Sequence, residues 1–387
     1  MIRIAFVTTS PLSARYLMAG QLADLRAHGF EVTVLCAGGE DLDVVARREG
    51  VDVVAIPIAR DIAPFADLRA IWRLIRALRR VRPALVNFGT PKGALLGAIA
   101  SAIVRVPVRI HVLRGLRSET TRGLKRFLLE RLEWLTAALS HRIVCVSPSL
   151  RDAFVARGLA SAKKIVVLGR GSSNGVDAAR FARNAEARTR IRGELGAGEN
   201  DVLIGFIGRL TRDKGIGDLL AAFRIVLERA PRARLLLIGD AEVGDPVEAS
   251  TLRELETHPR ITRLALVEDI AAHYSAIDML VLPSYREGFP NVVLEAAAAS
   301  IPVVGYRATG IVDAIEDGVT GALVSPGDVP ALAAAITQYV LDGELRQRHG
   351  DAGRRRVETS FTREEIWRRL RELYDDELRR AGIIRSQ

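Results

Sequence analysis

Two pairs of charged side chains have types and spacing suited to chemistry. Glu287 and Glu295 bracket Gly288, Phe289, Pro290 and Asn291 in SYREGFPNVVLEAAAAS, residues 284–300, just after the apolar run Met279 to Pro283. Arg209 and Lys214 stand in IGFIGRLTRDKGIGDLLAAF, which ends a strand at Gly208 and starts a helix near Gly217 or Asp218. Arginine grips phosphate oxygens through two donors and lysine acts as a point charge, so the basic pair suits a diphosphate beside a helix amino terminus. An ionised carboxylate accepts hydrogen bonds from two neighbouring hydroxyls of a sugar or a ribose. If a helix begins at Pro290, free amides near Asn291 and Val292 would hold phosphate between the two acids. A sugar at one end, a diphosphate in the middle and a ribose at the other describe a nucleotide sugar.

Each residue also has a plainer reading. Glu287 can be a helix-start acid favoured by the dipole, Glu295 a surface acid, and the basic loop a solvated turn. It is their combination at strand-loop-helix junctions that favours the ligand site.

The elements that must position these residues follow from periodicity. Apolar runs IRIAFVT, EVTVLCA, VDVVAIPI, ALVNFG, VRIHVLR, RIVCVS and KIVVLG alternate with amphipathic stretches, and so do VLIGFIGRL, ARLLLIGD, ITRLALV, DMLVLPS, IPVVGY and GALVSP. This predicts an α/β chain of two doubly wound, Rossmann-like domains, residues 1–177 and 178–362, facing each other across a cleft. Between them GRGSSNGVDAARFARNAEARTRIRGELGAGEND breaks the pattern, and the last helix, within 363–387, is expected to pack back on the first domain. A length of 387 residues agrees with two cores.

Composition narrows the class. Residues 1–177 carry 27 Lys and Arg against 14 Asp and Glu, whereas the remainder carries 29 against 32. In the window 69–131, 15 basic residues face only Glu119 and Glu130, which points to an acidic partner for the first half. Cys36 and Cys145 lie far apart in strand-like runs, as reduced core thiols of a cytoplasmic protein would. The opening MIRIAFVTTSP lacks the apolar region of a signal peptide, so export is not expected. The longest uncharged apolar stretch, Gly93 to Val104, falls short of the roughly 20 residues of a spanning helix. No repeat at solenoid period is apparent.

The segments GRLTRDKG, LVEDIAAHYSAIDMLVLPSYREGFPNVVLEAAAASIPVVG and GVTGALVSPGD resemble the retaining glycosyltransferases of family 4, which have the GT-B fold. The resemblance implies transfer of a sugar from a nucleotide donor, usually UDP-linked, with retained anomeric configuration and without a metal or other cofactor. It makes Glu287 and Glu295 the paired glutamates and Arg209 and Lys214 the diphosphate-binding pair. Gly208, Gly288, Phe289, Asn291 and Val292 complete the donor site, and the backbone of Leu266 and Val267 meets the base. Ala265 stands where many relatives have Gly, a departure in the base pocket.

In the first half, FGTPKGALLGAIAS, VLRGLRSETTRGLKRFLLERLEWLTAALSHRIVCVSPSLRDAF and VVLGRGSSNGVD are similar to transferases that build capsular polysaccharide, exopolysaccharide or lipid-linked glycans. This implies an acceptor sugar on undecaprenyl diphosphate at the cytoplasmic membrane face. Lys92 opens a helix at a strand end, and Arg114, Arg117, Arg122, Lys125 and Arg126 crowd the next such loop, where they could meet a lipid diphosphate or anionic headgroups. Phe127, Leu128, Leu132, Trp134 and Leu135 form a stripe that is either a membrane contact or core. Where many relatives have adjacent glycines, this chain has TTSPLSARYL, so Ser10, Ser13 and Arg15 become candidates for phosphate or acceptor. Where many have a functional His before Gly, it has Arg114 before Gly115, with His111 three residues earlier.

The mechanism expected is front-face attack, in which the departing phosphate helps remove the acceptor proton and Glu287 positions the donor sugar. Arg209, Lys214 and helix amides stabilise the leaving group, and no His/Cys cluster or paired-Asp motif suggests a metal. Domain closure about hinges near Asn174 and residue 362 would exclude water. The rivals are a sugar-nucleotide epimerase or hydrolase on the same plan, a basic nucleic-acid-binding protein, for which no recognisable motif is present, and a membrane-bound scaffold.

Overall fold

The computed structural model describes residues 1–59, 63–242 and 244–384. The chain divides into two units, one made of Met1–Asn174 with Arg363–Gln387 and the other of Gly175–Thr362. The division thus falls after Asn174, rather than after residue 177.

The apolar runs become strands. In the first unit these are β1 (Ile2–Val7), β2 (Phe30–Cys36), β3 (Asp52–Ala55), β4 (Leu85–Phe88), β5 (Val108–Leu113), β6 (Arg142–Cys145) and β7 (Ile165–Val167). They form one sheet in the order β3-β2-β1-β4-β5-β6-β7, every pair parallel. In the second unit β8 (Val202–Ile207), β9 (Ala233–Ile238), β10 (Ile261–Leu264), β11 (Met279–Leu282), β12 (Val303–Tyr306) and β13 (Gly321–Val324) form a parallel sheet in the order β10-β9-β8-β11-β12-β13. Helices link the strands, so central strands are covered on both faces and read as continuous apolar runs rather than alternating ones. All four residues of β11 are buried, and burying each such aliphatic side chain contributes about 2 kcal/mol. Both cysteines are buried and free, and burial pushes the Cys36 thiol up to about 11.

Strand order reverses direction between β1 and β4 in one sheet and between β8 and β11 in the other. Neighbouring loops diverge there to opposite faces of the sheet, which opens a crevice at the carboxyl ends of the strands. Of the residues singled out above, Ser10 and Lys92 follow β1 and β4, and Arg209, Lys214 and Glu287 follow β8 and β11, whereas Arg114 follows β5 and Leu266 and Val267 follow β10.

One helix lies inside the segment that reads as a break. Ala185–Glu194 is capped by Asn184, whose side chain accepts from the Ala187 amide at 2.8 Å. Ile191 is buried in the core of the second unit, and arginines add to the hold of the helix. Arg188 and Arg192 hold opposite oxygens of Asp278 at 2.7 and 3.0 Å, and the Leu203 amide donates to the same carboxylate at 2.8 Å. Asp278 thereby ties this helix to the feet of β8 and β11.

The final helix, Arg363–Arg380, belongs to the first unit. The Trp367 indole donates to Asn174 at 2.7 Å, and the Asn174 amide donates to the Ala19 carbonyl at 3.0 Å. Farther along, Tyr374 is buried and its hydroxyl accepts from Asn87 of β4 at 2.5 Å.

Removing one partner of a buried ion pair strands the other charge. We therefore expect Asp278→Ala, which leaves the buried Arg192 uncompensated, to lower unfolding free energy by about 3 kcal/mol in urea titrations. An unshifted midpoint would show that this cluster does not anchor the second sheet.

Candidate functional site

In the second unit the loop after β8 and the loop after β11 are stitched together by charge. Lys214 forms an ion pair with Glu287, both side chains being largely buried. Arg286 meets Asp213 at 2.8 Å, the Thr211 hydroxyl donates to Asp213 at 2.6 Å, and the Tyr285 amide donates to the Asp213 carbonyl at 2.9 Å. Gly215, at φ +69°, lets the first loop lie against the second, since a Cβ there would meet the Pro283 carbonyl oxygen at 2.1 Å. The Glu287 amide donates to the Thr309 carbonyl at 3.0 Å, and Gly310 at φ +77° packs beneath Gly288. The acid is thus held from three sides.

Arg209 is exposed and paired with Glu242. The two cations expected to meet a diphosphate are therefore each held by a carboxylate, which fixes where their donors sit. The helix after Lys214 starts at Ile216, and its first turn carries Asp218, whose carboxylate accepts from Tyr285 at 2.6 Å and Tyr306 at 2.7 Å. That amino terminus already faces its own acid, so an added anion is better served by the helix after β11.

That helix runs Asn291–Ala298, with Pro290 as its cap rather than its first residue, and no side chain caps its amides. Gly288 is buried, Phe289 packs against Phe361 with ring centroids 5.5 Å apart, and Val292 is half-buried. The Oδ1 of Asn291 and the Oγ of Ser284 are buried and, among the described residues, without hydrogen-bond partners, which is unusual for buried polar atoms. Glu295 lies one turn into the helix and accepts a hydrogen bond from Tyr274 at 2.8 Å. Gly208, at the end of β8, hydrogen-bonds the Ile238 carbonyl at 3.0 Å. Leu266 is exposed and Val267 half-buried after β10, on the far side of β9 from β11 in strand order.

In the first unit the reversal point is lined by hydroxyls. Thr9 and Thr90 share a hydrogen bond at 2.9 Å, and the Gly93 amide donates to Thr9 at 2.9 Å. Several residues expected to meet a ligand have local partners in the structure. Ser10 caps the helix Pro11–Leu17 by accepting from the Leu12 amide at 3.3 Å, the Ser13 amide donates to the Ser10 carbonyl, Arg15 pairs with Asp41 at 2.6 Å, and Lys92 pairs with Asp67 at 2.6 Å. His111 is buried in β5 and stacks on Phe88, and burial, reinforced by Arg114, pulls its ring down to about 3. It is neutral at ordinary pH.

Arg114 differs from the rest. Its Nε is buried and without a hydrogen-bond partner, and its guanidinium lies so close over Gly89 that a Cβ there would meet it at 1.9 Å. Burial lowers the group to about 10, with Tyr374 opposing the shift, so it stays charged at neutral pH. An unpartnered buried donor on a cation at a strand's carboxyl end makes Arg114 a candidate for meeting an anion. Arg117 follows in an exposed 3₁₀ turn, Arg117–Thr120.

The stripe on helix Gly123–Leu139 faces outward. Leu124, Phe127, Leu128 and Trp134 are exposed, and Leu132 and Leu135 are half-buried. Sequence reasoning missed a second such helix, Pro64–Val81, where Phe65, at 87% exposed, joins Leu68 and Trp72 on the outer face. Their spacing was the available signal. Also missed were Asp213 and Arg286, which pair across two loops, and Tyr274, whose partner Glu295 lies on another helix.

Comparison with known proteins agrees with this picture. Residues 187–356 match the family of glycosyl transferases group 1, and residues 14–171 match the glycosyl transferase 4-like domain. The chain is 34% identical over 366 residues to the capsular polysaccharide biosynthesis glycosyltransferase CapM of Staphylococcus aureus, covering 94% of this chain and 95% of the relative. It is 23% identical to the UDP-Gal:alpha-D-GlcNAc-diphosphoundecaprenol alpha-1,3-galactosyltransferase of Escherichia coli, over 89% of each chain. Among solved structures, Anabaena HepE in complex with UDP-glucose superposes with a TM-score of 0.81 at 21% identity, over 97% of this chain and all of that one. Two parallel-sheet units with ligand-type residues at both reversal points, and these matches along nearly the whole chain, make the protein a member of glycosyltransferase family 4 with the GT-B fold.

Proposed function

We propose that the protein moves a sugar from a UDP-sugar to a hydroxyl of a glycan acceptor carried on a polyprenyl diphosphate, with retention of configuration and without metal or other cofactor. The setting would be assembly of a capsule or related surface polysaccharide on the inner face of the cytoplasmic membrane. The observation that carries this reading is the Lys214–Glu287 pair, set where β8 and β11 end and beside a helix whose first amides lack a side-chain cap. Support for the donor and acceptor classes comes from the UDP-glucose bound by HepE and the lipid-linked substrate in the name of the E. coli relative.

On this reading Lys214, Arg209 and the amides of Asn291 and Val292 take the diphosphate. They stabilise charge on the departing phosphate oxygen more in the transition state than in the ground state. The bond between the sugar C1 and that oxygen breaks as the acceptor oxygen bonds to the same face, and the acceptor proton passes to the phosphate. Glu287 orients the sugar hydroxyls, Glu295 the ribose, and Leu266 and Val267 border the base. In the first unit Arg114 meets the acceptor's diphosphate, with Arg117 and the hydroxyl-rich turn around Ser10 and Ser13 beside it. Lys92, Arg15 and His111 serve the surroundings of that site.

The acceptor's lipid explains the outer faces of the first unit. Helices Pro64–Val81 and Gly123–Leu139 both pack on helix Pro91–Val104. The first presents Phe65, Leu68 and Trp72 among Arg69, Arg73, Arg76, Arg79 and Arg80, and its one acid, Asp67, pairs with Lys92. The second presents Leu124, Phe127, Leu128 and Trp134 with Lys125 and Arg131. Aromatic side chains set among arginines fit an anionic bilayer surface, where each basic residue contributes about 1 kcal/mol. No helix among the described residues is long and apolar enough to cross a membrane.

Glu287→Gln should lower transfer from a UDP-sugar to a lipid diphosphate sugar about 100-fold, in assays run with EDTA present. Unchanged turnover would remove Glu287 from the site, loss of all activity to EDTA would overturn metal independence, and donor consumption without acceptor would favour a hydrolase. The anomeric configuration of the product, read by NMR, should match that of the donor.

Sedimentation with vesicles tests the lipid surface. The protein should bind vesicles containing phosphatidylglycerol, not phosphatidylcholine alone, and Trp72→Ser with Phe127→Ser should weaken binding by at least about tenfold. Equal binding by the variant would place the contact elsewhere.

A further inference from the structure

Tyr274 is fully buried on helix Ile270–Ala276 and has one proton to donate. Two acceptors stand within reach, Glu295 Oε2 at 2.8 Å and the Val292 carbonyl at 3.3 Å. The carboxylate is nearer and charged, so it takes the proton. A buried tyrosine satisfied by a backbone carbonyl alone would serve packing. One that selects a carboxylate fixes the rotamer of that acid.

The supports of Tyr274 point the same way. Its ring meets Phe181 edge-on, with centroids 5.5 Å apart. The helix is capped at its start by Asp269, which accepts from the Ala272 amide at 3.2 Å, two residues after Val267. At its end Arg188 and Arg192 donate to the Ala276 carbonyl at 3.1 and 3.2 Å. A short rigid helix therefore runs from the loop assigned to the base to the acid assigned to the ribose. Burial, followed by the charge of Glu295, raises the phenol well above its ordinary range, so it stays a donor at all working pH values.

We infer that Tyr274 is a positioning residue of the donor site, holding the Glu295 carboxylate so that it accepts from the ribose hydroxyls and thereby setting selectivity for a ribonucleotide. This rests on the ribose role of Glu295 proposed above. Tyr274 touches no ligand and acts through the acid alone.

The test is calorimetric binding of UDP and 2′,3′-dideoxy-UDP to the full chain as wild type, Tyr274→Phe, Glu295→Gln and the double variant, with melting curves alongside. Loss of a hydrogen bond to a charged group should lower UDP affinity in Tyr274→Phe by about tenfold, leave dideoxy-UDP affinity within about twofold, and add nothing in the Glu295→Gln background. Equal losses for both nucleotides, additive losses in the double variant, or a lowered melting point with unchanged selectivity would overturn the inference and leave Tyr274 a packing residue. A wild-type protein that binds both nucleotides alike, or a Glu295→Gln variant that matches wild type, would instead overturn the ribose role of Glu295 and the inference with it.

Discussion

The loops that follow the neighbouring strands β8 and β11 are locked to each other by one charged contact. Lys214 and Glu287 are separated by 73 positions in the chain and are largely buried where β8 and β11 end. Neither charge could be left alone there without a penalty of several kcal/mol, so the pair obliges the loops to close on each other. Asp213 with Arg286, and the Tyr285 amide on the Asp213 carbonyl, repeat the constraint beside it. On the proposed reading this makes a preorganised set of hydrogen-bond donors, and an arriving phosphate would meet a lysine whose position is already fixed. Preorganisation of this kind stabilises developing charge because little reorganisation is left to do during the reaction.

The two halves treat charge differently. In the second unit the cations of the site hold acids: Lys214 has Glu287 and Arg209 has Glu242. In the first unit Arg114 Nε is without a hydrogen-bond partner among the described residues, and the outer face of helix Pro64–Val81 presents five arginines and no exposed acid. Residues 1–177 carry 27 basic against 14 acidic residues, and although Arg15 and Lys92 pair with Asp41 and Asp67, the arginines of helix Pro64–Val81 leave an exposed excess. Such a field draws anionic partners from beyond contact distance and weakens with salt.

Much of the fold is legible in the sequence because its strands are buried on both faces and so stand out as continuous apolar runs. Helix Ala185–Glu194 escaped because its apolar row is short, Ala187 and Ile191 with Leu195 just beyond, and Arg188 and Arg192 on Asp278 supply much of its hold on the sheet. The donor residues were legible as types at a strand-loop-helix junction, but not their pairing, since the partner of Lys214 lies in another loop. Ser10, Arg15 and Lys92 show the converse. Polar residues after a strand are also what helices need for caps and neighbouring acids, and each of these three is so used. Tyr274 is invisible for a simpler reason: an aromatic in HYSAID reads as core, and only its hydroxyl has another task.

The fate of the acceptor proton follows from which groups can take it. His111 is buried, stacked on Phe88 and held near a pKa of 3, so it is a poor base at neutral pH. Arg114, the polar side chain at the end of the same strand, keeps its proton. Glu287 is engaged by Lys214, and taking a proton would break the pair that closes the donor loops. On the proposed reading, the oxygen that gains charge as the glycosidic bond breaks is the remaining acceptor, and its basicity rises during the same step in which the proton must leave. A permanent cation at Arg114 then has a clear use: it neutralises an anionic acceptor without competing for that proton.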